Sequence, residues 1–303
     1  ASVAIIDQSV LEDEYFHFQA PNDIFTDADA GDTLTFGATL ADGAPLPAWL
    51  SFDAATRTFN GLPTNQDVGV LQVTVTATDL FGASASQVFT LMVENVNDAP
   101  LAGDDMGVAR EDGEAVLLSA AALLANDADP DSIHGDALVI AGVSQAASGA
   151  RVSLVNGDVQ YDIGSLYQSL KEGQTATDNF SYTIADSAGA SSTANVVMTI
   201  TGVNDAPLAA VPLVGQMGVE GTAWYYQIPA NAFVDIDLGD TLSYSATLID
   251  GTPLPNWLSF DPVTQTFSST LPDGAAGLRD VRVTATDTSG ASASSNFRLD
   301  VAN

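Results

Sequence analysis

Along this chain apolar residues repeatedly alternate with Thr, Ser or charged residues, as in "LQVTVTATD", "QVFTLMV", "FSYTIADS", "ANVVMTITGV", "VRVTATD" and "NFRLDV". A period of two sends one set of side chains to a buried face and the other to water, so each run predicts a half-buried antiparallel strand. Between such runs lie "DLFGAS", "DSAGAS" and "DTSGAS", whose Asp, Gly and Ser suit the tight loop of a hairpin. About seven short strands per ~100 residues predict a β-sandwich. One stretch breaks the pattern: "SLYQSLKEG" over 165–173 spaces its apolar residues for two turns of helix.

The alternation is organised in repeats. A shift of 208 residues superimposes "PLPAWLSFDAATRTF" (45–59) on "PLPNWLSFDPVTQTF" (253–267), and carries Glu12 to Glu220, Asp27 to Asp235, Asp29 to Asp237, Asp32 to Asp240 and Asp79 to Asp287. The heptapeptide "VNDAPLA" occurs at 96–102 and again at 203–209. Between the matching ends, "YTIADSAGASSTANVVMTI" stands where the first segment has "VTATDLFGASASQVFTLMV", so the middle is a relative of the ends and not a copy. Three tandem domains are expected, 1–98, 99–205 and 206–303. By this register the chain starts just after one linker and stops just before another, as a piece cut from a longer array would.

Charge narrows the chemistry. The 303 residues are 46% hydrophobic, enough to fold, yet carry 39 acidic against 7 basic groups for a net charge of −32. Nucleic acid and anionic membrane surfaces need Lys and Arg in numbers, so neither is expected as a partner. No apolar run approaches the ~20 residues of a membrane span. Of the acids 32 are Asp and only 7 Glu, and Asp is the residue that folds onto its own turn and aims a carboxylate from a loop at a hard cation. With no Cys, disulfides and thiolate metal sites are excluded. His17 and His134 lie in different segments, against a histidine zinc site.

Each segment orders its acids alike: a Glu near the start, a D-x-D loop, and an Asp before the last hairpin, after which the linker supplies Asn-Asp-Ala-Pro. Carboxylates gathered by several loops repel one another unless a cation lies among them. Calcium, which accepts six to eight oxygen ligands in flexible geometry, fits such a set better than magnesium. A single D-x-D is otherwise an Asx-turn; the threefold recurrence carries the reading.

These motifs resemble the cadherin-like superfamily over the whole chain. The outer segments are similar to dystroglycan-type cadherin-like domains through "LADGAPLPAWLSFDAATRTFNGLP" and "LIDGTPLPNWLSFDPVTQTF". The middle one is similar to the VCBS type through "LLANDADPDS", "EGQTATDNFSYTIADSAG" and "ITGVNDAP", as in large RTX-type adhesins. The resemblance implies an all-β chain of three tandem Ig-like or cadherin-like antiparallel sandwiches in an elongated array, with Ca2+ between consecutive domains. It places Asn97, Asp98, Asp129, Asp131 and Asp186 at the first junction, closed by Glu12 and Asp67. At the second it places Asn204, Asp205, Asp235, Asp237, Asp287 and Glu111. Asp27, Asp29 and Asp79 would form an incomplete site in the first domain, and Glu220 would face a further junction. "VNDAP" lacks the second Asn of the animal linker.

Other features add little. Trp49 and Trp257, in matching "LPxWLSF" motifs, predict core positions, while alternation in "AWYYQ" turns Trp224 and Tyr226 inward and Tyr225 outward. Paired acids could in principle hydrolyse a glycoside, but that requires one carboxyl with a raised pKa in a cleft, whereas these sets recur at domain ends, so no enzyme is expected. The expected function is a calcium-binding structural or adhesive segment of a secreted or surface-exposed bacterial protein, monomeric as a fragment. The alternative is a calcium-dependent polysaccharide-binding module; another surface protein is a third class of partner.

Overall fold

A computed structural model describes residues 3–29 and 31–303. They divide into two compact units. One comprises 1–102, 127–139 and 184–192; the other comprises 103–126, 140–183 and 193–303.

The alternating runs form the expected strands, and each repeat builds a four-stranded sheet facing a three-stranded one. In the first repeat the larger sheet runs Gln8–Leu11, Ser84–Glu94, Gly69–Thr78, Thr35–Leu40, and the smaller runs Phe16–Gln19, Thr58–Gly61, Leu50–Asp53. The third repeat has the same order: Gln216–Val219, Ser292–Ala302, Gly277–Thr286, Ser243–Leu248, against Ala223–Gln227, Thr266–Thr270, Leu258–Asp261. In the middle repeat Val139–Val143, Thr175–Ala185, Ser191–Thr201 and Asp105–Arg110 face Arg151–Val155, Asp158–Asp162 and Val116–Leu118. The "GAS" turns do close the last hairpin, with Thr78 opposite Ser84 and Thr286 opposite Ser292. The short first strand of each large sheet is an exception to the antiparallel pattern. It lies parallel to the last strand, Gln8 opposite Leu91 and Gln216 opposite Leu299, which no hairpin could join.

Alternation sets what is buried. Val73, Val75 and Ala77 point inward while Thr74 and Thr76 do not, and Val281, Val283 and Ala285 repeat this in the third repeat. Phe59 and Phe89, with ring centroids 5.6 Å apart, fill the first core; Phe267 and Phe297, at 5.1 Å, fill the third. Trp49 and Trp257 are half-buried and pack on these cores. Trp224 is buried and Tyr226 packs on the core, whereas Tyr225 is 70% exposed.

The helix expected over 165–173 does not form. The segment is a chain of turns, with Leu166 N–H bonded to Ile163 and Leu170 N–H to Tyr167. Gly164, at φ +52°, turns the chain out of helical geometry at its start. Further on the backbone is pinned to the sheet end: a Cβ on Gly202 would lie 2.4 Å from the carbonyl oxygens of Leu170 and Lys171. The α-helix lies instead at Ala120–Leu123, a single turn capped by Ser119 Oγ. Four residues with no polar face carry no readable helical period.

Candidate metal centres at the two Asn-Asp linkers

Each linker leaves the last strand of one repeat and is caught at once by a buried glutamate. Val96 N–H donates to Glu12 Oε1 at 2.7 Å and Val203 N–H to Glu111 Oε1 at 2.5 Å; both glutamates are 1% exposed. Their position follows from the parallel pairing above, which sets Leu11 beside Glu94 and Arg110 beside Thr201, so the next residue reaches the linker.

The D-x-D loops fold as Asx-turns that present the second Asp to the linker. Asp129 Oδ1 accepts from Asp131 N at 2.8 Å, and Asp235 Oδ1 from Asp237 N at 3.0 Å. The second carboxylates then accept linker amides: Asp98 N donates to Asp131 Oδ2 (2.6 Å) and Asp205 N to Asp237 Oδ2 (3.0 Å). The linker asparagines bind the hairpin aspartates through their amide nitrogens, Asn97 to Asp186 Oδ2 at 2.9 Å and Asn204 to Asp287 Oδ2 at 3.0 Å. The other oxygen of each hairpin aspartate caps its own turn, at Ala190 N and Ala291 N.

The oxygens left over decide the chemistry. Buried polar atoms are ordinarily hydrogen-bonded. Here twelve buried side-chain atoms among the described residues have no such partner, and nine of them belong to these two sets. At the first linker they are Glu12 Oε2, Asn65 Oδ1, Asp129 Oδ2 and Asp131 Oδ1; at the second they are Glu111 Oε2, Asn204 Oδ1, Asp205 Oδ2, Asp235 Oδ2 and Asp237 Oδ1. Ligand oxygens of Asp129, Asp136 and Asp186 lie within 4.8 Å of one another, as do those of Glu111, Asp205 and Asp237. No base neutralises them: among the described residues the one ion pair is Arg298 with Asp280. Burial pushes the carboxyls of Glu111, Asp129, Asp205 and Asp237 above the ordinary range, and neighbouring carboxylates push them further. Asp287 is held below it by the Asn204 amide. Unpaired oxygens of carboxylate and amide type, mutually repelling and without nitrogen or sulfur donors, fit a hard divalent cation of calcium's coordination number.

The remaining sequence-predicted residues stand apart. Asp67 Oδ2 accepts from Thr64 N (2.9 Å) and Thr64 Oγ1 (2.8 Å), capping the turn Asn65–Asp67, and its neighbour Asn65 turns an amide to Asp98 Oδ2 at 2.5 Å. In the first repeat Asp27 and Asp79 gather with Asp32, while Asp29 is exposed and contributes its N–H to Asp27 Oδ1. Sequence reasoning matched Asp32 to Asp240 without placing either at a site, and passed over Asp136; they share a readable signal, since each D-x-D loop ends in Gly-Asp, at Asp32, Asp136 and Asp240. It also passed over Asn65 and Asp112, whose contacts no motif announces. Asp112 accepts from Gln168 Nε2 at 3.0 Å and adds to the repulsion on Glu111 and Asp205. The turn segment 165–173 reaches the same place, Leu238 N–H donating to Ser169 O at 2.9 Å.

Family comparisons agree with the repeat structure. A putative Ig domain model matches residues 1–94 and 206–302, and a bacterial cadherin-like domain model matches 97–202. No curated protein sequence matches the chain. Among solved structures it is similar to the extracellular cadherin domains 1–5 of protocadherin gamma B2, with a TM-score of 0.64 at 15% identity over 98% of this chain and 59% of that one. It thus spans about three-fifths of that five-domain chain. Mouse cadherin-23 EC22–24 matches at TM-score 0.53 and 17% identity, covering 98% of this chain and 95% of that one. At such identities the likeness shows the fold. The chain belongs to the putative Ig domain family, whose model matches more than half of it, with a segment that matches the bacterial cadherin-like domain standing between the two Ig matches.

Proposed function

We propose that the chain is a non-enzymatic, calcium-binding structural or adhesive segment of a secreted or surface-exposed bacterial protein, built of domains 1–98, 99–205 and 206–303. The observation that carries this reading is the set of nine buried oxygens without hydrogen-bond partners at the two Asn-Asp linkers. The cadherin-like match and the extracellular cadherin neighbours support an extracellular setting. Glu12, Asn97, Asp98, Asp129, Asp131, Asp136 and Asp186 would hold calcium at the first linker; Glu111, Asn204, Asp205, Asp235, Asp237 and Asp287 would hold it at the second.

Each set draws ligands from before, within and after its linker, so a bound ion restrains the linker's dihedrals and stiffens the array. With Kd ~10⁻⁴ to 10⁻³ M, as in extracellular modules, and ~10 mM calcium, each ion contributes about 1.4 to 2.7 kcal/mol to the ordered arrangement. Small-angle scattering tests this directly. The particle is expected to be longer and narrower in calcium than in chelator, and superimposable profiles would refute the stiffening. No observation favours the polysaccharide reading, since the strongly exposed aromatics Tyr15, Phe81 and Tyr225 lie in two different loops and a strand and form no described platform.

A further inference from the structure

The two linkers have the same sequence from Val to Ala, yet their aspartates differ. Asp98 has both its main-chain and side-chain polar groups engaged: its N–H goes to Asp131, and its Oδ2 accepts the Asn65 amide at 2.5 Å. Asn65 is itself held, its main-chain carbonyl oxygen lying 2.8 Å from His134 Nε2, so Asn65 ties the linker's Asp98 carboxylate to the acidic loop. At the second linker Asp205 Oδ2 is buried with no partner, and Asp205, Glu111 and Asp237 bring carboxylate oxygens within 4.8 Å of one another. The contacts nearby, Gln168 to Asp112 and Leu238 to Ser169, reach neither Asp205 oxygen.

We infer that the two linkers load calcium in order, the second before the first, because Asn65 already satisfies Asp98 whereas Asp205 is left bare. This rests on the calcium reading above and adds its sequence of events. A cation at the first linker must share or displace the Asn65 amide, which amounts to about one hydrogen bond to a charged acceptor, or roughly tenfold or more in dissociation constant. A cation at the second displaces nothing and relieves a repelling cluster in which Glu111 and Asp237 are 1% and 3% exposed. The same difference orders the metal-free states: both linkers keep their asparagine and main-chain hydrogen bonds to the acidic loops, but only the first adds the Asn65 tie.

Hydrogen exchange read by mass spectrometry on the full 303-residue chain separates the linkers, because peptides spanning 95–99 and 202–206 report them independently while calcium chloride is titrated into chelator-stripped protein. The second linker is expected to gain protection at roughly tenfold or more lower calcium, and to exchange faster than the first in chelator. Asn65→Ala should speed exchange at the first linker in chelator and leave the second unchanged. Asp205→Asn should remove the early protection and spare the late one. Protection of both linkers at one calcium concentration, or of the first before the second, would overturn the order. No protection of either would overturn the calcium reading itself.

Discussion

Two groups of buried acids in the second compact unit obey opposite rules. Asp178, 5% exposed, has each oxygen saturated: Ser148 N and Asn179 N donate to Oδ1 at 3.0 and 2.9 Å, and Ser148 Oγ and Tyr161 Oη donate to Oδ2 at 2.5 and 2.6 Å. Burial alone would raise its pKa, but these four donors more than offset it and hold the carboxyl below the ordinary range. Glu111 and Asp237 are buried as deeply, yet each retains an oxygen with no donor, and their pKa values go up. A carboxylate buried among donors is a structural brace. One buried among other carboxylates keeps an oxygen without a donor, and on the calcium reading proposed above a cation would complete the set.

The largest effect expected from this contrast is at Asp178. Asp178→Ala removes a charged acceptor from four donors and leaves the Tyr161 hydroxyl buried without a partner, so the loss should be about 3 kcal/mol or more. It should be the same in calcium and in chelator, as the shift of the middle domain's unfolding transition in each buffer would show. A calcium-dependent loss would erase the distinction between brace and site. Acid probes the same group. Its folded pKa is lowered, so its contribution is fully present above the unfolded value near 3.9 and declines as pH falls through the folded value. Asp178→Asn should therefore flatten the acid limb of the stability profile below pH 4 and leave its shape above pH 5 unchanged.

Calcium removal is the next largest. Transferring the chain from ~10 mM calcium to chelator should cost about 1.4 to 2.7 kcal/mol for each ion lost, seen by calorimetry as lower transition temperatures. The same experiment in magnesium should recover little of it, since magnesium dehydrates reluctantly and demands an octahedron that these loops were not shaped to give.

How much of this could be read from sequence follows from what each signal depends on. The strands and Asp129, Asp131, Asp235 and Asp237 were legible because period-two burial and the D-x-D turn are local and recur in all three segments, the outer two under a single shift. Asp29 breaks the rule although it matches Asp237. Asp237 is buried because it accepts the N–H of Asp205, while Asp29 lies exposed, so tertiary contact and not motif separates them. Asn65 was invisible because its role depends on a fold-back onto Asp98, 33 positions away. The failed helix at 165–173 has the same cause: Gly202 admits those carbonyls against the sheet end, and tertiary packing overrode the local period.

The smallest effect discriminates best because it changes sign. Asp237→Asn keeps an oxygen to accept the Asp205 amide but deletes one of the charges crowding Glu111 and Asp205. In chelator, where those charges only repel, the variant should be more stable than the parent by about 1 kcal/mol. In calcium it should be less stable, because the lost carboxylate was a ligand and a cation site weakens with each negative charge removed. Denaturation midpoints of parent and variant should therefore cross as calcium is added. Asp178→Asn, carried through the same titration, should run parallel to the parent throughout. If the Asp237 curves also ran parallel, the repelling cluster would be an ordinary acidic surface, and its bare oxygens would have no cation to explain them.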